Sequence, residues 1–318
     1  MLQQTRVEQV IPYYQRFLKK FPTIKDLAMS NLDEILKLWE GLGYYRRARY
    51  LHQAAKIIIK DFRGKIPSQY ESLQRLPGFG PYTCGSVLSI AYNLPQPAVD
   101  GNVIRFISRL FRIESDISIS STKERIEDIV RQLFPFGKAS EFTQSLMEMG
   151  AIICTPVNPS CRKCCCRKIC RAYKELPDPV ILPKKKKKKK GIHFHIAAAV
   201  VIQDKTVLIS KRPDNVILGN LWEFPGGKKE KRESLHETCI RELKKKTGVL
   251  AKVREPLDSV KHHYSHYSIT LHFFLCVYVR GNVTDDNIRW VKIQDLEKYA
   301  FSKVHKQIAV KIRDEYCS

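Results

Sequence analysis

No stretch of the 318 residues approaches the run of ~20 apolar residues that a membrane-spanning helix requires. The first residues also lack the charged, then apolar layout of a secretory signal. Together these absences predict an intracellular protein with no membrane partner. Acidic residues are scarce: 32 Asp and Glu stand against 56 Lys and Arg, a formal charge of +24. Such an imbalance favours a polyanionic partner, nucleic acid before acidic membrane. A merely solvated basic surface is the plainer alternative.

A polar lead-in is missing as well. The chain opens "MLQQTRVEQV", and Val7, Val10, Ile11, Tyr14, Phe17 and Leu18 follow at the spacing of a buried helical stripe. A domain that starts inside its first core helix predicts a further segment ahead of Met1.

The length suits two domains of ordinary size. Residues 1 to about 150 carry helical patterns such as "NLDEILKLWEGLGYY", "RARYLHQAAKIIIKDF" and "STKERIEDIVRQLF", separated by turns rich in Gly, Pro and Ser. Asn31 and the residues from Ser120 to Thr122 are expected helix N-caps. At "ELPDPVILPKKKKKKKG", residues 175–191, prolines and a lysine run cannot build a core and read as a linker. The lysines at 184–190 suit a nuclear address, a phosphate strap or a self-repelling spacer. After Gly191 the period changes to two in "HFHIAAAVVI", "KTVLISKR" and "HYSITLHFFLCVYVRG", with one helical pattern, "SLHETCIRELKKKTG", among them. The expected organisation is a helical domain over 1–174, a linker over 175–191 and an α+β domain over 192–318.

Ten cysteines are present, six of them between Cys154 and Cys170, and in an intracellular chain such clustering points to metal ligation before disulfides. The frame Cys154-x6-Cys161-x2-Cys164-x5-Cys170 can surround a [4Fe–4S] cluster or a zinc ion, and spacing alone does not choose. Cys165 and Cys166 fall outside it and read as bystanders. In "LPGFGPYTCG", Gly78 and Gly80 are free to take positive φ, and the turn presents backbone N–H groups at a helix N-terminus, suited to one backbone phosphate. Twenty residues on stands "AVDGNVIR".

A helix-hairpin-helix turn, an aspartate in "VDGNV" and this cysteine frame, in this order, resemble the iron–sulfur DNA glycosylases. "MLQQT", "GLGYYRRAR", "GPYT" and the attached C-terminal domain are similar to the MutY-type adenine DNA glycosylases, over nearly the whole chain. The resemblance implies an all-α helix-hairpin-helix glycosylase domain whose loop at 154–170 holds a [4Fe–4S] cluster on Cys154, Cys161, Cys164 and Cys170, followed by a Nudix-like domain. It implies a monomer that acts on double-stranded DNA containing A:8-oxoguanine or A:G, in the cytoplasm or nucleoid of a bacterium or the nucleus of a eukaryote.

By the same resemblance Asp100 is the catalytic carboxylate. Breaking an N-glycosidic bond leaves an oxocarbenium-like sugar that a carboxylate can stabilise or trap. A turn-capping Asp is the bland alternative. Asn102 would help place water or the acid, and Tyr82 would pack beside the sugar. Endonuclease III-type relatives carry a Schiff-base lysine at the position of Tyr82, and a phenol cannot form an imine, so a monofunctional enzyme is expected. Gln4 and Tyr44 match wedge residues that fill the stack while adenine is flipped out. The family's general acid, a glutamate, would lie two residues before Met1.

"GGKKEKRESLHETCIRELKKKTGV" aligns with a Nudix box through Gly227, Glu233, Arg241, Glu242 and Gly248. Lys245 and Lys246 replace two acidic positions, and lysine repels a hard cation, so the fold is expected without its hydrolase chemistry. In "HHYSHYS", Tyr264, Ser265 and His266 match the family's 8-oxoguanine-reading loop; a histidine-rich metal site is the alternative. The competing functions are an endonuclease III-like lyase and a lesion-binding protein without catalysis.

Overall fold

The computed structural model describes residues 1–186, 192–263 and 267–316. Its chain divides into two compact units, one formed by Met1–Ala55 with Lys189–Ser318 and the other by Lys56–Lys188.

The first unit begins with α1 (Val7–Lys20), α2 (Ile24–Met29) and α3 (Leu32–Trp39), and α4 (Arg46–Asp61) starts within it. Asn31 caps α3 as expected, its side chain accepting from the Asp33 N–H at 2.9 Å. Ile35, Leu36 and Trp39 are fully buried, and Phe17 meets Trp39 edge-on. The stripe expected on α1 is only partly a core stripe. Val10 and Phe17 are buried, whereas Val7, Ile11, Tyr14 and Leu18 are exposed. The buried pair faces the core; the 7-11-14-18 row lies on another face.

In the second unit, α5 (Tyr70–Gln74) and α6 (Pro81–Ser86) flank the glycine turn, and α6 runs on into a wide π-helical turn, Val87–Ala91. Then come α7 (Gly101–Leu110), α8 (Ser120–Gln132), α9 (Ala139–Glu148), a second π turn (Met149–Ile153) and α10 (Arg171–Glu175). Val103, Phe106, Ile107 and Leu110 recur along one side of α7 and pack with Ile126, Val130 and Leu146. The N-cap of α8 is Ile119, without a side-chain cap, rather than Ser120 to Thr122; the helix already begins at Ser120. The stretch expected as a bare linker is held in this unit as far as residue 186. Leu182 is fully buried, Ile117 N–H donates to the Lys184 carbonyl at 3.0 Å, and Lys184 pairs with Glu114.

The remainder of the first unit is a mixed sheet of β1 (Ile192–Gln203), β2 (Thr206–Lys211), β3 (Trp222–Glu223), β4 (Gly226–Lys228), β5 (Leu250–His263), β6 (Tyr267–Arg280) and β7 (Ile288–Lys292). The order is β3-β2-β1-β6-β5, with β4 on β1 and β7 on β2, and β1 runs parallel to β6. Ala198 and Val200 face a cluster containing α12 (Lys303–Tyr316), whereas Ala197, Ala199 and Val201 face α11 (Leu235–Thr247). Burial on both faces explains why this strand reads as a continuous apolar run. A capping box of Ser234 and Glu237 starts α11, and Gly248 ends it at φ +71°.

Candidate active site and nucleic-acid interface

Asp100 is the N-cap of α7. Its Oδ1 accepts from the backbone N–H groups of Asn102 and Val103, each at 2.8 Å, and its Oδ2 accepts from the Asn102 amide at 3.0 Å. The capping role raised as the alternative is therefore real, and it is also what aims the carboxylate. Arg105 donates to Asn102 Oδ1 at 2.9 Å, which leaves the amide NH2 for Asp100. The same guanidinium reaches the carbonyls of Gly150 and Cys154. This contact needs the second π turn close against α7: a Cβ on Gly150 would stand 2.6 Å from the Asn102 carbonyl oxygen. Tyr82 is half-buried on α6, and burial, with a smaller push from the Asp100 charge, raises its phenol pKa. The structure thus groups Asp100, Asn102 and Tyr82 in one unit, and adds Arg105, which the sequence did not single out.

The two glycines of the hairpin behave differently. Gly78 takes φ +81°, but Gly80 is extended at φ −79° and ψ 176°, as the N-cap of α6 with Pro81 behind it. Pro81 presets φ for the first helical turn, so Gly80 itself need not turn left-handed. A Cβ on Gly80 would meet nothing within 4 Å.

Cys154, Cys161, Cys164 and Cys170 line one cavity of about 390 Å³ of empty space, open solvent included, and Cys166 lines it with them. Among the described residues no three His, Cys, Asp or Glu converge as ligands of a single ion. Arg109 is 2% exposed and lines the same cavity. It donates to the carbonyls of Leu182, Thr155 and Pro156 and, at 3.3 Å, to Cys154 Sγ. A buried guanidinium met by carbonyls and a sulfur calls for negative charge nearby, which thiolates around a metal group supply. Burial raises the thiol pKa values of Cys161, Cys164 and Cys166. The donor set fits a thiolate-ligated cluster.

Gln4 and Tyr44 both lie in the first unit, exposed and in the left-handed region, at φ 59° and 48°. Arg47 holds both of their loops. Its guanidinium donates to the carbonyls of Met1, Gln3 and Gly43 and to Thr5 Oγ1, and stands 5.4 Å from the ring centroids of Tyr44 and Trp39. Burial lowers its pKa. "GLGYYRRAR" pointed to the motif, but not to this arginine. Behind Tyr44, the Tyr45 hydroxyl accepts from Gly41 N–H at 3.1 Å and donates to the Phe301 carbonyl at 3.4 Å.

In the Nudix box, Arg241 bridges Glu233, at 2.7 Å, and Glu242. This holds the Glu233 carboxyl at a pKa of about 2. A Cβ on Gly227 would collide with the Glu242 carboxylate, so any larger residue there would push Glu242 out of its present place. Lys246, where the Nudix-box pattern has an acidic residue, pairs at 2.6 Å with Glu223, which also binds Arg212. Burial works against the Glu223 charge, but the two cations outweigh it and lower its pKa. Tyr264, Ser265 and His266, expected from the resemblance to read 8-oxoguanine, lie outside the described residues, between β5 and β6 in the sequence.

Comparison with known families agrees with both halves of this arrangement. Residues 1–135 match the HhH-GPD superfamily of base excision DNA repair proteins, and residues 197–311 match the NUDIX domain. The class is a base-excision repair glycosylase, an enzyme of N-glycosyl bonds, joined to a Nudix-like domain. An adenine DNA glycosylase of Mus musculus is 31% identical over 97% of this chain and 69% of its own length. Those of Schizosaccharomyces pombe (32%, covering 93% of this chain and 75% of the relative) and Buchnera aphidicola subsp. Schizaphis graminum (35%, covering 85% and 76%) are similar as well. The chain belongs to the adenine DNA glycosylase family.

Proposed function

We propose that this protein removes adenine mispaired with 8-oxoguanine or guanine in double-stranded DNA, by hydrolysis and without cutting the strand. The observation that carries the reading is the Asp100 carboxylate, clamped by two helix N–H groups and the Asn102 amide on a glycosylase-family framework.

As the glycosidic bond lengthens, positive charge builds on the sugar, and a carboxylate already oriented towards it stabilises that charge without reorganising. Asn102, locked by Arg105, keeps the free edge of the carboxylate in place and can position the attacking water. Tyr82 packs beside the sugar, where an amine would form an imine and nick the strand. Gln4 and Tyr44, on loops gripped by Arg47, enter the stack as the adenine leaves it; filling the hole recovers part of an unstacking cost of a few kcal/mol. The turn at Gly78 and Gly80 takes a backbone phosphate, and the +24 charge supplies the salt-dependent affinity.

Cys154, Cys161, Cys164 and Cys170 would hold a [4Fe–4S] cluster. When bound, the cluster ties four points of this loop together. The exposed Arg162, Lys163, Arg167 and Lys168 then form a basic face for phosphates. The helical domain (1–174), the segment at 175–191 and the Nudix-like domain (192–318) divide the work, the last reading 8-oxoguanine through Tyr264, Ser265 and His266. A Ser265 hydroxyl can exchange hydrogen bonds with the atoms that distinguish the oxidised base. With its glutamates engaged by Arg241, Arg212 and Lys246, the Nudix-like site serves recognition rather than diphosphate hydrolysis.

The test is a single-turnover assay on A:8-oxoguanine, A:G and A:T duplexes. Base release that yields strand breaks only after alkali supports the reading. Breaks before alkali indicate a lyase, and binding without release indicates a recognition protein.

A further inference from the structure

Cys164 and Cys166 lie two residues apart in a tight turn, where Arg167 N–H bonds the Cys164 carbonyl and Ile169 N–H bonds the Cys166 carbonyl. Both line the cysteine cavity, while Cys165 between them is exposed and does not. Cys166 also packs against the same apolar cluster as Cys154, Cys164 and Cys170. The 3.8 Å between the sulfurs of Cys165 and Cys166 is far beyond the 2.03–2.05 Å of a disulfide, so the Cys166 thiol is free. The cavity therefore holds one more inward thiol than a four-iron cluster needs.

We propose that Cys166 is a reserve ligand of the cysteine cavity, able to take the place of Cys164 on the iron–sulfur group. The inference rests on the cluster reading above. In the exchange the Cys166 thiol releases its proton to solvent and binds iron as a thiolate, while Cys164 departs as a thiolate and takes up a proton. No electrons move, so no oxidant is required. Because the two sulfurs sit on one turn and face one cavity, a side-chain rotation and a small shift of the turn make the exchange. Cys161 and Cys170 have no such neighbour two residues away. The device lets the loop keep its cluster when the Cys164 sulfur is displaced or removed by substitution.

The full-length protein is prepared anaerobically as wild type, Cys164→Ala, Cys164→Ser, Cys166→Ala, Cys161→Ala and Cys164→Ala/Cys166→Ala. Iron and acid-labile sulfide per chain, visible absorbance and helix content by circular dichroism are read on each. Alanine cannot ligate, so a folded Cys164→Ala is decisive by its iron content. A serine oxygen can, so Cys164→Ser supports the proposal only if Cys166 is shielded from alkylation while its iron is bound, and overturns it if Cys166 stays reactive. Wild type and Cys166→Ala should each carry about four irons per chain. Cys164→Ala should keep most of its iron, whereas Cys161→Ala and the double variant should lose theirs. Alkylation of Cys166 in Cys164→Ala should be blocked while iron is bound and restored after chelation, with exposed Cys165 as internal reference. Loss of iron from Cys164→Ala to the level of Cys161→Ala overturns the proposal, as does retention of iron by the double variant. Zinc in place of iron in the wild type overturns the cluster reading itself.

Discussion

The Glu40 carboxylate accepts the backbone N–H of Phe301 at 3.0 Å, so a residue at the end of α3 is bonded to one 261 positions later in the same unit. Its other oxygen is shared by Lys37 and Lys306, and the Glu40 side chain is 5% exposed. Lys37 also reaches the Tyr299 carbonyl, and Lys211 pairs with Asp33 at 2.7 Å. The loop bearing Tyr44 that follows Glu40 is thus braced by the segment around 299–306.

Glu40→Ala should therefore destabilise the first unit. Leaving the buried Phe301 N–H without an acceptor costs about 1–3 kcal/mol; the lysines, partly in water, add little. Glu40→Gln keeps an acceptor and should lose less. Urea unfolding followed by tryptophan fluorescence reads the difference, and equal midpoints for Glu40→Ala and wild type would contradict the bracing role.

Asp100→Asn retains a side-chain acceptor for the helix cap and removes the charge. Excision should fall by about 10²–10³-fold or more while duplex affinity and melting temperature hold. Asp100→Ala should lose excision and, in addition, about 0.5–2 kcal/mol of stability with the cap. Single-turnover rates, gel-shift titration and calorimetry separate these outcomes. An active Asp100→Asn protein would remove Asp100 from the mechanism.

Arg47→Ala should release the loops bearing Gln4 and Tyr44 together. The expected result is weaker extrusion of the target base, read as a reduced 2-aminopurine signal in a flipped-base duplex, with roughly 10-fold loss in excision if ~1.4 kcal/mol of positioning is lost. Arg47→Lys keeps the charge but not the forked donors and should fall between. Unchanged flipping in Arg47→Ala would mean that the loops hold themselves.

His305 supplies a pH dependence with a definite sign. It is buried, and its Nδ1 accepts the Phe224 N–H at 3.1 Å, so that nitrogen carries no proton. Burial lowers its pKa from 6.5 to about 4, with Glu223 opposing the shift and Arg212 and Lys246 adding to it. Between these values the unfolded chain binds a proton that the folded chain does not. Stability should then be lost as the pH falls from 6.5 through 4, by roughly 3 kcal/mol in all. His305→Asn, which keeps an acceptor and does not titrate, should show a flatter profile over this window. Parallel profiles would exclude the histidine as the cause.

Ser265→Ala should narrow the preference for A:8-oxoguanine over A:G while general DNA affinity stays the same, because phosphates set affinity and base edges set selectivity. A point substitution is the sound probe here. Removing residues 191–318 would also strip Phe301 and Lys306 from Glu40, and so disturb the loop bearing Tyr44. Unaltered selectivity in Ser265→Ala would assign lesion reading elsewhere.

Features whose chemistry lies within a few consecutive residues are legible in the amino-acid sequence. The cysteine frame at 154–170, Asp100 in "VDGNV", the Tyr at position 82 and the Nudix box are local patterns, because metal ligation, helix capping and phosphate turns each demand particular residues at short spacing. So are most helices, and the strands with alternating or β-branched runs. Tertiary structure alone decided three things. It grouped residues 1–55 with the C-terminal sheet, through bonds such as Glu40 to Phe301 that leave no periodic trace in the chain. It made Arg47 the tie between two loops, where the sequence offers only one arginine among many. It turned Cys166 inward and Cys165 outward, a choice set by how one turn packs on the apolar cluster rather than by either cysteine's neighbours in sequence. Local spacing fixes what a residue can do chemically; which partners it meets is settled by packing between segments far apart along the chain.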